Sequence, residues 1–252
     1  MRAYGSDSQV IGKHAVAITG YSLGYSQSTF FENTGFLLKA TRVDKIYVHD
    51  DQVGPFSRMV FDEQLITLQE GRQEVSILTS WQGNDGSVGG KRAISDILLI
   101  PLYHKIRIPF GVIHDIVFGF DNLLKSVISE VIPDLTPIFQ QAEWDIYLIS
   151  VNDLKKEVFD SVDLNTEIRK KILLRSFPRF LWRATMIFDG SIKLDLLFDA
   201  TDIEQGAFFL CAIDHDPEFT GLLRILFNMN EIEPLFDVSP AWPIVAWFRE
   251  NS

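Results

Sequence analysis

The chain has 252 residues, 46% hydrophobic and 23% charged, with 20 Phe and 5 Trp, which suits one large domain or two small ones and excludes a disordered chain. A formal net charge of -11 argues against nucleic acid or an anionic membrane as partner. The one cysteine, Cys211, can make neither an internal disulfide nor a CxxC zinc site, which points to a reducing, cytoplasmic setting.

No apolar stretch is long and uncharged enough to read as a signal peptide or a membrane span. Residues 14–19 (HAVAIT) are small and apolar and close on Gly20, which predicts a buried strand. Residues 21–33 are polar and rich in Ser and Gly, and read as a loop. Residues 35–41 (GFLLKAT) and 45–49 (KIYVH) read as two strands about a turn, and Gly54-Pro55 ends that unit. Short strands are expected at 58–61, 64–69 and 75–81. The glycine-rich stretch 83–90 marks a loop or a boundary between lobes, and 97–103 (ILLIPLY) predicts another buried strand.

The pattern then changes. Apolar residues at 112, 113, 116, 117, 120, 123, 124, 127, 128 and 131 keep helical spacing up to Pro133, on a face that suits a core or an oligomer contact. A short helix or turn at 134–141 and a strand at 144–150 follow, then helices capped by Asn152 or Asp153 and by Asn165. Two apolar runs flank Asp189-Gly190, a dipeptide suited to a type I′ hairpin turn. A strand at 208–213, a helix near 219–229 and an apolar C-terminal run that packs onto the core complete the reading. The fold class is α+β, with an antiparallel β-sheet lobe in residues 1–90 and a helical and β-hairpin region in residues 91–252.

One constellation carries chemistry. His14 opens the strand HAVAITGY, and KIYVH runs directly into Asp50-Asp51 and then Gly54-Pro55. Strand alternation puts Val48 and Asp50 on one face and His49 on the other, so His49 and Asp50 should not act together, whereas His14 and Asp50 could. An imidazole held by a carboxylate through one ring nitrogen can turn the other to a thiol, lower its pKa and hold its proton.

HAVAITGY and YVHDDQVGPF together resemble the histidine and aspartate strands of papain-like cysteine peptidases, in particular the family-C39 peptidases of bacterial export systems. The resemblance covers about the first quarter of the chain. It implies a papain-like half-barrel, acyl transfer through a thioester, His14 as general base and acid, Asp50 as its orienter, and a peptide or protein substrate. Asp51 stands where the pattern often has proline, and the loop between the two strands is longer than usual. A papain-like nucleophile stands on a helix N-terminus upstream of the histidine; none of the thirteen residues before His14 is a cysteine. Ser6 and Ser8 lie in a short polar leader, and Cys211 sits among bulky apolar residues that would leave its thiol inert. Three arrangements account for the gap: a cysteine-bearing segment outside this sequence, a partner chain that supplies the cysteine half, or a degenerate relative that binds peptide or protein without cleaving it.

No cofactor or metal ligand set is legible elsewhere. Lys91 is not followed by Ser or Thr, which rules out a Walker A loop, and no GxGxxG follows a strand. His114 and Asp115 are neighbours on a helix and point apart, so they make no metal pair. His215, between Asp214 and Asp216, predicts a solvated turn, and basic residues such as Arg175, Arg179 and Arg183 are expected to pair with the surplus carboxylates.

Overall fold

The computed structural model describes residues 1–4, 10–25, 35–51, 53–67, 71, 73–79, 81, 91–201, 208–229 and 240–250. The chain is mixed α+β and divides into two units, residues 1–33 with 39–101 and residues 34–38 with 102–252. The division falls at 101 rather than 90, because residues 91–94 form a strand of the first unit's sheet.

The first unit is built from β1 (Arg2–Tyr4), β2 (Val10–Lys13) and β3 (Ala17–Leu23). After β4 (Leu37–Leu38), which belongs to the other unit, come β5 (Val43–Asp50), β6 (Gly54–Thr67), β7 (Gln73–Thr79) and β8 (Lys91–Ile94). Their order is β2-β1-β8-β7-β6-β5-β3, antiparallel throughout. The two edge strands, β2 and β3, are consecutive in the chain and separated only by residues 14–16. That connection spans at most about 14 Å, whereas a flat sheet would hold its outer strands about 29 Å apart. The sheet therefore curls until its edges meet. Residues 10–23 run as one bent strand, paired with β1 before the bend and with β5 after it. The result is an up-and-down barrel of six strand paths in which each pairs with its sequence neighbours and β8 closes back onto β1.

The barrel interior is filled by Ala3, Ile46, Val48, Met59, Ile77, Trp81 and Ala93, with Val16 packed against them. This corrects the expectation of a buried strand at 14–19. Residues 14–16 are the bend, and Ala17, Ile18 and Thr19 are exposed because side chains from the neighbouring strands already occupy the interior. The strands expected at 58–61 and 64–69 are one strand, β6, with an irregularity in register between Asp62 and Leu65. The apolar stretch 97–103 forms no strand: Ile97, Leu98, Leu99 and Ile100 are exposed at 81%, 60%, 88% and 61%. The reason is topological, since β8 is already flanked by β1 and β7 and offers no free edge. The glycine-rich stretch 83–90 and most of the loop expected at 21–33 lie outside the described residues.

The second unit is a five-stranded sheet between two helical layers. β9 (Glu143–Ser150), β10 (Phe180–Phe188), β11 (Ser191–Asp199) and β12 (Phe209–Asp214) are antiparallel neighbours, and β4 adds to β9 in parallel. The strand expected at 35–41 thus shrinks to two residues before a 3-10 turn at Lys39–Arg42. Among the described residues there are six helices: α1 (Phe110–Val131), α2 (Thr136–Phe139), α3 (Val151–Asp160), α4 (Thr166–Leu174), α5 (Pro217–Phe227) and α6 (Trp242–Glu250). Trp182, Ala184 and Met186 of β10 pack with α1, α5 and α6, while Leu181 packs with α3 and α4. Covered on both faces, β10 reads as a nearly continuous apolar run. The apolar face of α1 is core: Ile113, Val117, Phe120 and Val127 are fully buried. Asn165 caps α4 as expected, but α3 is capped by Ser150, whose side chain accepts the Asp153 N–H at 3.2 Å. Asp189 and Gly190 have φ of 50° and 70°, the left-handed pair a type I′ turn requires.

Candidate functional site

The alternation of β5 sends Ile46, Val48 and Asp50 inward and leaves His49 outside, where its ring meets Phe56. Asp50 is the last inward residue of its strand, and its side chain is completely covered. A carboxylate in that position must be hydrogen-bonded to persist. Trp81, just beyond β7, donates its indole N–H to Oδ2, and the Val53 amide reaches Oδ1 at 3.3 Å.

His14 supplies a further contact. It stands in the bend at the barrel seam, where its backbone N–H donates to the Met1 carbonyl at 3.0 Å. From there its Nε2 lies 3.1 Å from Asp50 Oδ1. The Trp81 ring meets the imidazole edge-on, with centroids 5.2 Å apart and planes at 86°. The two residues singled out in the sequence, 36 positions apart, are therefore in direct contact. An ionised carboxylate can only accept, so Nε2 carries a proton, and in the neutral form of the ring Nδ1 carries the lone pair. Among the described residues no group bonds Nδ1. Held by Asp50 and by the Trp81 ring, this imidazole can take a proton from an acid placed against Nδ1 and return it.

Two participants escaped the sequence reading. Trp81 is one, because nothing local to it signals a carboxylate partner. Asp51 is the other: its side chain is 82% exposed, yet its Oδ1 lies 3.1 Å from the same His14 Nε2. No thiol joins the group. Cys211 is on β12 in the core of the second unit, where burial pushes its thiol up to about 11. Ser6 and Ser8 lie outside the described residues.

No protein-family model, no curated protein and no solved structure matches this chain. No helix among the described residues is long and apolar enough to cross a membrane.

A second polar cluster lies on the α3 side of the second unit's sheet. Fully buried Asp195 accepts from Arg183 at 2.7 Å, from Thr185 at 2.6 Å and from His215 at 2.6 Å when its Nε2 is protonated. Arg183 also donates to Glu157 and stacks over Tyr147. This corrects the solvated turn expected at His215. Burial by itself would raise the Asp195 carboxyl, but the His215 hydrogen bond and the Arg183 charge outweigh it and hold the group below the usual carboxylate range. Arg175 and Arg179 behave differently from expectation: the first donates to the Leu210 carbonyl and the second lies over the Tyr103 and Phe180 rings. His114 and Asp115, expected to point apart, meet at the surface at 3.1 Å, and the His114 imidazole also packs against the rings of Phe36, Phe110 and Phe118.

Proposed function

We propose that His14 and Asp50 are the imidazole and carboxylate of a papain-like acyl-transfer site, of the C39-like kind, acting on a peptide or other amide bond. In this reading the thiol belongs to a segment or partner chain beyond these 252 residues. The observation that carries it is the 3.1 Å contact from Nε2 to a buried, indole-anchored Asp50, with Nδ1 left as the base. His14 takes the thiol proton through Nδ1 as the thiolate attacks the acyl carbon, then returns it to the leaving amine. Asp50 holds the tautomer and stabilises the imidazolium while it lasts. A thiol nucleophile has to stay reduced, which favours the cytoplasm.

The test begins with the protein isolated from its source. A polypeptide heavier than 28.7 kDa, or a co-purifying chain, should contain a cysteine that iodoacetamide labels rapidly near neutral pH. His14→Ala should slow that labelling by about 100-fold or more. A 28.7 kDa chain with no partner, or a cysteine indifferent to His14→Ala, overturns the reading. The exposed apolar side chains Ile18, Tyr21, Val53 and Phe56 of the first unit would then support a non-catalytic peptide- or protein-binding module.

A further inference from the structure

The contact geometry at His14 contains a mismatch. One ring nitrogen, Nε2, faces two carboxylate oxygens, Asp50 Oδ1 and Asp51 Oδ1, each at 3.1 Å. A single N–H cannot make two well-aligned hydrogen bonds at once. It also leaves two like charges drawn together around one proton. A divalent cation in place of that proton would bond all three atoms.

We infer that His14, Asp50 and Asp51 form a binding site for a divalent transition-metal cation of the zinc class. The three candidate ligand atoms all lie within 4.8 Å of one another. Bonds of about 2.0–2.1 Å place neighbouring ligand atoms about 3.3 Å apart on a tetrahedral ion and about 2.9 Å apart on an octahedral one, so the two 3.1 Å separations fall between the two geometries. One imidazole with two carboxylates favours zinc, cobalt or manganese over magnesium or calcium, which prefer oxygen alone. The outer shell is present as well. Trp81 donates to the far oxygen of Asp50, which turns Oδ1 toward the imidazole. The exposure of Asp51 leaves a route for the ion and room for water to complete its coordination.

The consequence for function rests on the acyl-transfer reading. Coordination uses the Nε2 lone pair, so the ring proton moves to Nδ1. The nitrogen that would accept the thiol proton is then already protonated. Metal binding and base catalysis exclude each other, and the cation acts as an inhibitor.

The experiment is isothermal titration of the full chain with zinc sulfate, alongside visible absorption with cobalt(II). The expected result is one ion per chain. Asp51→Asn, on an exposed side chain, should weaken binding at least about 10-fold, and His14→Gln should abolish it. His215→Gln, at the other histidine and carboxylate cluster, should leave stoichiometry and affinity unchanged. Absence of zinc binding, or binding that survives both Asp51→Asn and His14→Gln, overturns the inference. The outcome is separable from the acyl-transfer reading: zinc bound at His14 with no reactive cysteine found leaves the cation site and removes the enzyme, and the reverse pair of results does the opposite.

Discussion

Asp50 shows how much one buried charge demands of its neighbours. It is the inward residue at the end of β5, and solvent does not reach its side chain. Its partners include groups from separate parts of the chain: the bend at His14, the residue after β7 and the turn at Val53. Replacing Trp81 with Phe keeps most of the apolar packing and deletes one donor. Leaving a buried carboxylate oxygen short of a bond should destabilise the first unit by about 1–3 kcal/mol. Urea unfolding of Trp81→Phe against the parent measures this. A change within error would mean that the indole N–H does not support Asp50.

At the scale of elements, the hairpin of β10 and β11 is the clearest case in which a local signal and the fold agree. Gly190 needs its φ of 70°, and a methyl group built there meets nothing within 4 Å. Gly190→Ala should therefore lower stability by backbone strain alone, about 1–2 kcal/mol in thermal or chemical unfolding. The same hairpin hides its most consequential pairing. A regular ladder from the turn would set Thr185 opposite Leu194. The register shift between Met186 and Ile187 sets it opposite Asp195 instead. That one extra residue brings Asp195 to Thr185 and Arg183, so the buried network could not be counted out from the turn. The stretch 97–103 makes the opposite point. It has strand composition with no strand position to fill. Leu99→Asp, at a side chain 88% exposed, should change stability by no more than about 0.5 kcal/mol. A loss of several kcal/mol would restore the buried strand.

At the scale of the whole molecule, two buried aspartates should respond to acid with opposite signs. Burial raises Asp121, and its bonds from Lys125 at 2.6 Å and from Trp144 at 2.9 Å only partly offset this. Asp195 is held low by His215 and Arg183 against the same burial. Acidification from neutral pH should protonate Asp121 first, above the unfolded carboxyl value of about 3.9. Because its folded pKa is raised, its contribution is most favourable below the unfolded value and is lost as pH rises through the folded one. Asp195 contributes above the unfolded value and loses that contribution as pH falls through its lower folded pKa. Carboxyl carbon NMR titration should separate the two, and Asp121→Asn should remove the higher step. Asp195 titrating at or above the ordinary range would contradict the assignment. Asp195→Asn leaves Arg183 buried without its main counter-charge and should cost about 3–5 kcal/mol.

What the sequence determined by itself was whatever depends on neighbours within a few positions. The helical spacing of α1, the Asn165 cap, the Asp189-Gly190 turn and the inward alternation of β5 are local, because a helix or strand repeats within the reach of its own residues. The pairing of His14 with Asp50 was legible through a two-strand pattern and strand alternation, and the two side chains are in contact. Tertiary structure decided the rest. That residues 10–23 close a barrel, that 97–103 finds no partner, and that Trp81 and Asp51 gather at His14 all follow from which strands meet. Those meetings are set by the summed burial of the barrel interior and by register shifts of single residues, and neither quantity is carried by any short stretch of chain.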